Sequence, residues 1–287
     1  MFPPLRMRGR VREGASLMPR LVNLHPGRGG AILLGLLPFI VLAFAYVLGS
    51  NTRLQENPDD KLLPAPSSFV ETIQKYAFEE DRRSGELLWW SDTGASLKRL
   101  FVALGISAAL GLTIGLAIGA VPYVRSFLLP FVAAFGMIPP LAILPILFIV
   151  LGLGEVAKIA LIVIGITPIV VRDIALRAGE IPGEQLIKAQ TLGASSWLLA
   201  IRVFLPQLMP RLIDTVRLNL GCAWLFLIAA EAIASTEGLG YRIFLVRRYM
   251  AMDVILPYVA WITALAFFMD YALRRARRSF FPWAEIT

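Results

Sequence analysis

Ile181-Pro182-Gly183-Glu184-Gln185-Leu186-Ile187-Lys188-Ala189-Gln190-Thr191-Leu192-Gly193-Ala194-Ser195-Ser196-Trp197, running on to Phe204-Leu205-Pro206, is a polar interruption in an otherwise apolar chain. Pro182 and Gly183 end the preceding helix, and nine helix-tolerant residues follow. Gly193 interrupts these, Ser195 or Ser196 caps a second helix, and Pro206 is expected to end it. The stretch reads as a helix, a turn and another helix on one membrane face, over residues 182–206. Such an element suits a membrane protein that something outside the bilayer must grip and move. The plainer reading is an amphipathic loop resting on the bilayer.

On both sides of it the chain is built to span a membrane. Hydrophobic residues make up 57 % and charged residues 17 %, and the mean hydropathy is +0.69, well above a soluble domain of this length. A span needs about twenty mostly apolar residues. Stretches 31–50, 97–120, 127–151, 156–177, 213–234 and 254–273 qualify, giving an all-α polytopic protein with about six transmembrane helices. Pro139-Pro140 and Pro145 break the third span, predicting a kink that faces the bundle interior and either packs or lines a path. Gly111, Gly115 and Gly119 give the second span a smooth face for close helix packing.

An even number of spans puts both ends on one side. If that side is cytoplasmic, inner segments hold 17 of the 28 basic residues, including Arg125, the six from Arg172 to Arg217, and Arg274, Arg275, Arg277 and Arg278. Outer segments hold Asp59, Asp60, Glu79, Glu80 and Asp81. The positive-inside rule therefore places both termini, and residues 182–206 with them, in the cytoplasm. Residues 1–30, with Arg6, Arg8, Arg10, Arg12, Arg20 and Arg28, read as a basic tail that fixes orientation, and residues 276–287 as a second cytoplasmic tail. No cleavage site follows the first apolar run. The net charge of +8 clusters at span ends, which points to a lipid bilayer and not to nucleic acid.

Residues 51–96 form the expected outer segment ahead of a core over 97–275. There Ser68 and Glu71 have capping-box spacing, and Phe69, Ile73, Tyr76 and Ala77 share a face. This predicts a short amphipathic helix at the membrane surface, with Trp89-Trp90 as interfacial anchors; a docked partner is the alternative for both. Charges within spans need a reason. Glu231, after the run Ala223–Ala230, reads as a structural ion pair with Arg242 or Arg247, or else as a substrate contact near the outer gate. Asn219 either lines the path or bonds another helix. Asp214 and Arg217, and Asp270 and Arg274, are spaced as helical ion pairs.

At the opening stretch the chain resembles the permease subunits of bacterial ABC importers, whose cytoplasmic Glu-Ala-Ala segment is followed by a Gly and then a Leu-Pro pair. The match is Lys188-Ala189-Gln190-Thr191-Leu192-Gly193-Ala194-Ser195 with Leu205-Pro206. Ile187 stands where the opening Glu is usual, and Glu184 lies one turn earlier. Ala229-Ala230-Glu231 and Glu237-Gly238-Leu239-Gly240-Tyr241 look like the nitrate, sulfonate and taurine branch, and the likeness runs over residues 60–285. It implies a type I ABC importer permease fold in a bacterial inner membrane, acting as a homodimer or one of a related pair. It also implies cytoplasmic ABC ATPase subunits docked on the helix pair, and an extracytoplasmic binding protein delivering a small anion to the Glu237–Tyr241 side. In that docking, Gly193 lets the backbone turn, Ala189, Leu192 and Ala194 form the contact face with Ser195 beside it, and Glu184 and Lys188 form the rim. Pro139, Pro140, Asn219, Glu231, Gly238, Gly240 and Tyr241 are the path and gate candidates.

This chain itself is expected to bind no cofactor or metal, leaving ATP and Mg to the partner subunit. It has no Gly-x-x-x-x-Gly-Lys-Ser/Thr phosphate loop, and its lone histidine and cysteine are His25 and Cys222. No catalytic constellation is visible, which argues against a membrane-embedded enzyme. A self-contained secondary transporter is the runner-up, but it calls for inverted repeats and a coupling-ion site that the sequence does not display.

Overall fold

Glycine spacing sets a close helix contact. The computed structural model describes residues 27–57, 60–82 and 84–285. In it, Gly111, Gly115 and Gly119 lie along α3 (Leu88–Ala120) against α6 (Glu155–Gly179). A Cβ on Gly111 would fall 2.3 Å from Val170 Cγ1, on Gly115 2.8 Å from Ile174 Cβ, and on Gly119 2.2 Å from Ala178 Cβ. Val170, Ile174 and Ala178 also recur every four residues, so two rows mesh along the seam.

The chain divides into two units, residues 1–52 and 53–287. In the first lies most of α1 (Arg28–Glu56), long and apolar enough to span. The arginines at 6–20 and His25 fall outside the described residues, as does Asp59. The second unit holds the other helices, and every regular element among the described residues is helical. Buried Leu161, Ile162, Ile166, Val170 and Ile174 of α6 form the middle of its core.

Among the described residues four helices are long and apolar enough to cross a membrane, or up to six spans if each of two bent pairs counts as one. The first pair is α4 (Pro122–Phe135) and α5 (Pro140–Leu151), which meet at 91°. Pro140 forces Pro139 into an extended conformation (φ −63°, ψ 118°), so one helix cannot run into the other. The third span is thus broken where its prolines predict a break. Gly136 sits close to Pro168 of α6, but Met137 and Ile138 are 78 % and 43 % exposed, and Pro139 is exposed with them.

The second pair bends by 49° at Asn219, between α9 (Leu205–Leu218) and α10 (Leu220–Ala234). A last long helix, α12 (Met252–Phe280), follows the short α11 (Leu239–Arg247).

The outer segment corrects three expectations. α2 (Pro66–Phe78) starts with Pro66 at its first position and Ala65 as an extended N-cap, so Ser68 lies inside the helix and no capping box forms. Its buried face is Thr72, Tyr76 and Ala77, with Ile73 exposed, because α2 lies on α12. The Tyr76 ring meets Tyr258 edge-on at 6.1 Å. Trp89 is a core residue and no interfacial anchor: it is 4 % exposed and 4.5 Å from the Tyr258 ring. Trp90 donates its indole N–H to the Ala77 carbonyl at 3.1 Å.

Candidate functional site

Two places stand out, one at each end of α6. After Gly179, Pro182 leads into α7 (Gly183–Thr191). Gly193 stops that helix with φ +86°, a left-handed conformation that favours glycine. The turn closes with Gly193 N–H on Gln190 O at 2.9 Å and Ala194 N–H on Ala189 O at 3.0 Å. Ser195 then accepts from Leu198 N–H at 3.3 Å and caps α8 (Ser196–Leu199).

Pro206 does not end the second helix. α8 passes through a π-helical turn at Ala200–Phe204 straight into α9, where Pro206 sits in the first turn. The wider i→i+5 turn accommodates the N–H that proline lacks.

On the pair's outer surface Leu192 is 81 %, Trp197 75 % and Ile187 62 % exposed, beside exposed Glu184 and Lys188. Ala189 and Ala194 are only half-exposed. Ile187 and Trp197 therefore add to the exposed apolar groups of the helix pair. Leu186 and Trp197 also line a cleft of about 660 Å³ against Leu116 and Ala120 of α3, so the exposed Trp197 borders that cleft.

The opposite end holds a buried charge cluster. Glu231, in the last turn of α10, is fully buried. Arg99 Nη1 donates to its Oε1 at 2.8 Å, Ser96 Oγ to the same oxygen at 2.8 Å, and Gly240 N–H to Oε2 at 2.9 Å. Arg99 Nη2 also donates to Glu155 Oε1 at 2.9 Å, and Nη1 to the Glu237 carbonyl at 3.0 Å. Asp92 takes Gly238 N–H at 2.8 Å and Arg242 Nε at 2.8 Å. The cation beside Glu231 is thus Arg99; Arg242 pairs with Asp92, and Arg247 lies 5.0 Å from the Phe244 ring.

Gly238 and Gly240 close this cluster from above. Gly238 has φ +121°, and a Cβ there would fall 2.6 Å from the Glu231 carboxyl carbon. On Gly240 it would meet the Ile228 carbonyl at 2.8 Å. Tyr241 is half-buried, with the Arg242 guanidinium 5.8 Å from its ring centroid. The sequence reading missed Asp92, Ser96 and Arg99. Their spacing puts all three on one face of α3, and three polar groups on one face of an apolar helix is the signal that was there to read.

Asn219 joins neither place. Its side-chain amide donates to Thr215 O at 2.8 Å, filling a carbonyl of its own helix at the bend. Nearby, Arg277 reaches Asp214 at 3.2 Å and Arg274 reaches Asp270 at 2.6 Å, while Arg217 stands between those acids at 3.8 and 3.6 Å. Pro139 and Pro140, Asn219, and the Glu231–Tyr241 group therefore occupy three separate regions. Among the described residues no three His, Cys, Asp or Glu side chains converge as a metal set. Glu155 opens α6 and α7 follows its end; at 25 residues, the cluster and the helix pair stand about 37 Å apart along the helix.

The family model for a binding-protein-dependent transport system inner membrane component matches residues 102–280. The chain is 34 % identical over 221 residues to the taurine transport system permease protein TauC of Escherichia coli (strain K12), covering 77 % of this chain and 80 % of that protein. It is 28 % identical to the putative aliphatic sulfonates transport permease protein SsuC of Bacillus subtilis (strain 168), over 94 % of this chain and 96 % of that one. A solved structure of the MetNI methionine ABC transporter in inward facing conformations matches with a TM-score of 0.60 at 19 % identity, over 67 % of this chain and 95 % of its own, a likeness of fold. The chain belongs to the family of binding-protein-dependent transport system inner membrane components, as a permease subunit of an ABC importer.

Proposed function

We propose that this permease carries a small organic anion of the sulfonate or taurine kind, driven by separate ATP-binding subunits that dock on α7 and α8. Two copies form the path between them, and both termini of each face the cytoplasm. ATP and Mg belong to the docked subunits. A binding protein delivers solute at the Glu237–Tyr241 end. The relatives named for taurine and for aliphatic sulfonates support the solute class.

The observation that carries the docking is the exposure of Ile187, Leu192 and Trp197, together with Glu184 and Lys188, on a helix pair held at its turn by Gly193. Partner sites combine apolar groups with charged ones in this way. Force on α7 enters α6 through Pro182, and force on α8 enters α9 through the unbroken π-turn. It then reaches the glycine seam of α3 and α6 and the bend at Asn219. The Arg99–Glu231 cluster holds the far end together, so the helices pivot there instead of separating.

The test is affinity purification from membranes that also express an ATP-binding subunit, with wild type beside Gly193→Arg, followed by ATPase assay and taurine uptake in vesicles. Wild type should bring down the subunit and take up taurine, and the variant should lose both while still folding. A folded wild type that retains no ATPase would overturn the docking.

A further inference from the structure

Resting on the transport reading above, we infer that Arg125 and Arg172 form an oxyanion site on the inner part of the path, for a sulfonate or phosphate group on a short apolar body. The two side chains line one cavity of about 390 Å³ formed by α3, α4 and α6. That size is within the range of about 300–1,000 Å³ usual for small-molecule pockets. Its remaining wall is mainly apolar, with Ile118, Leu129, Pro168 and Ile169.

Arg172 lies within α6, seven residues before that helix ends, in a segment otherwise apolar enough to span. A cation there is costly unless it faces water, an acid or a ligand. Arg99, Arg177, Arg217, Arg242, Arg274 and Arg277 each have a carboxylate partner. Among the described residues no ion pair or hydrogen bond engages the Arg125 or Arg172 guanidinium; both residues are exposed and line the cavity, so the two charges are open to a ligand entering it. The acid that lines the cavity, Asp173, is engaged elsewhere: it accepts from Thr215 Oγ1 and stands 3.7 Å from Arg177 Nε.

Arg125 reaches from the first turn of α4 to the last turn of α6, where its Nη1 lies 3.5 Å from a Cβ built on Gly179. Arg125 therefore reaches the end of the helix that leads into α7, and Arg172 lies about two turns before it. Guanidinium forks match the oxygens of a sulfonate or phosphate, and the apolar wall takes the carbon chain. A solute held there would be at its last station before release, next to the element that the ATPase moves. A lipid headgroup presents the same oxyanion, so the experiment must separate the two sources.

The permease–ATPase complex is reconstituted in vesicles of phosphatidylcholine alone, or with phosphatidylglycerol added, as wild type, R125Q, R172Q, R172K and the double R125Q/R172Q. Thermal unfolding is followed with ethanesulfonate as probe, alongside taurine uptake and ATPase retention. Ethanesulfonate should raise the melting temperature of wild type in phosphatidylcholine and leave the double variant unmoved. Uptake should fall about tenfold or more in the double variant, with part restored by R172K and the ATPase still bound. A shift produced only by phosphatidylglycerol, and lost in the double variant, assigns the site to a lipid headgroup. Equal shifts in wild type and double variant for both ligands overturn the site. A wild type that binds its ATPase yet, supplied with ATP and its binding protein, takes up no taurine overturns the solute reading alone.

Discussion

At the Glu155 end of α6, Arg99, Glu231, Asp92 and Arg242 satisfy one another and the backbone of the Gly238–Gly240 turn; at the Gly179 end, Ile187, Leu192 and Trp197 stand uncovered. One end spends its polar groups internally, and the other keeps apolar groups in reserve. Burying Glu231 and Arg99 costs several kcal/mol per ion, and only close geometry with further hydrogen bonds offsets that. Leaving Leu192 and Trp197 exposed forgoes about 1.5–3 kcal/mol for each side chain that could have been buried. The contrast separates what holds the fold from what is left exposed, the surface proposed for a partner.

Breaking the satisfied end should give the largest effect. Arg99→Ala strips Glu231 of its cation while leaving the carboxylate fully buried, with only Ser96 and Gly240 as donors. The expected loss is about 3–5 kcal/mol, read by thermal or denaturant unfolding in detergent. Replacing both partners, Arg99→Met with Glu231→Met, should recover much of it, since no unpaired charge then remains. A single-variant loss below about 1 kcal/mol would show that water, and not the ion pair, satisfies this end.

The seam between the ends should respond less. Gly115→Val places a Cβ 2.8 Å from Ile174 Cβ and 2.9 Å from the Val171 carbonyl, and two rigid helices must part to admit it. Overpacking of this kind costs about 1–3 kcal/mol. Gly105→Ala, on the same helix with nothing within 4 Å of the new Cβ, is the control and should be neutral or slightly stabilising. If the two variants unfold alike, the glycine row is not a packing seam.

What was legible in the sequence divides along the same line. The bare end is local: Pro182, Gly193 and Ser195 act on their immediate neighbours, so the helix, turn and cap over 182–199 followed directly from residue type. The glycine row was legible because a helix face repeats every four residues. Asp270 and Arg274 were legible for the same reason. The partner of Glu231 was not, because Arg99 lies 132 residues away and spacing rules reach only one or two turns. Trp89 was misplaced because an aromatic at a span end suits both a membrane interface and a core, and only the approach of α12 decides. Pro206 was misread as a stop because a π-turn, which proline alone does not announce, carries the helix past it.

The smallest expected effect on stability comes from the bare end, and its smallness is the informative part. Leu192 is 81 % exposed at the turn, so Leu192→Ala removes little buried surface, and the melting temperature should move by no more than a surface change of about ±0.5 kcal/mol allows. If Leu192 sits in the centre of the ATPase contact, the same change should still weaken retention of the ATP-binding subunit, by about 1 kcal/mol or more, read by quantitative co-purification. Loss of retention without loss of stability is the signature of a surface kept for a partner. A drop in melting temperature with retention unchanged would mean that Leu192 packs against its own chain or the bilayer. The two ends would then differ in charge but not in purpose.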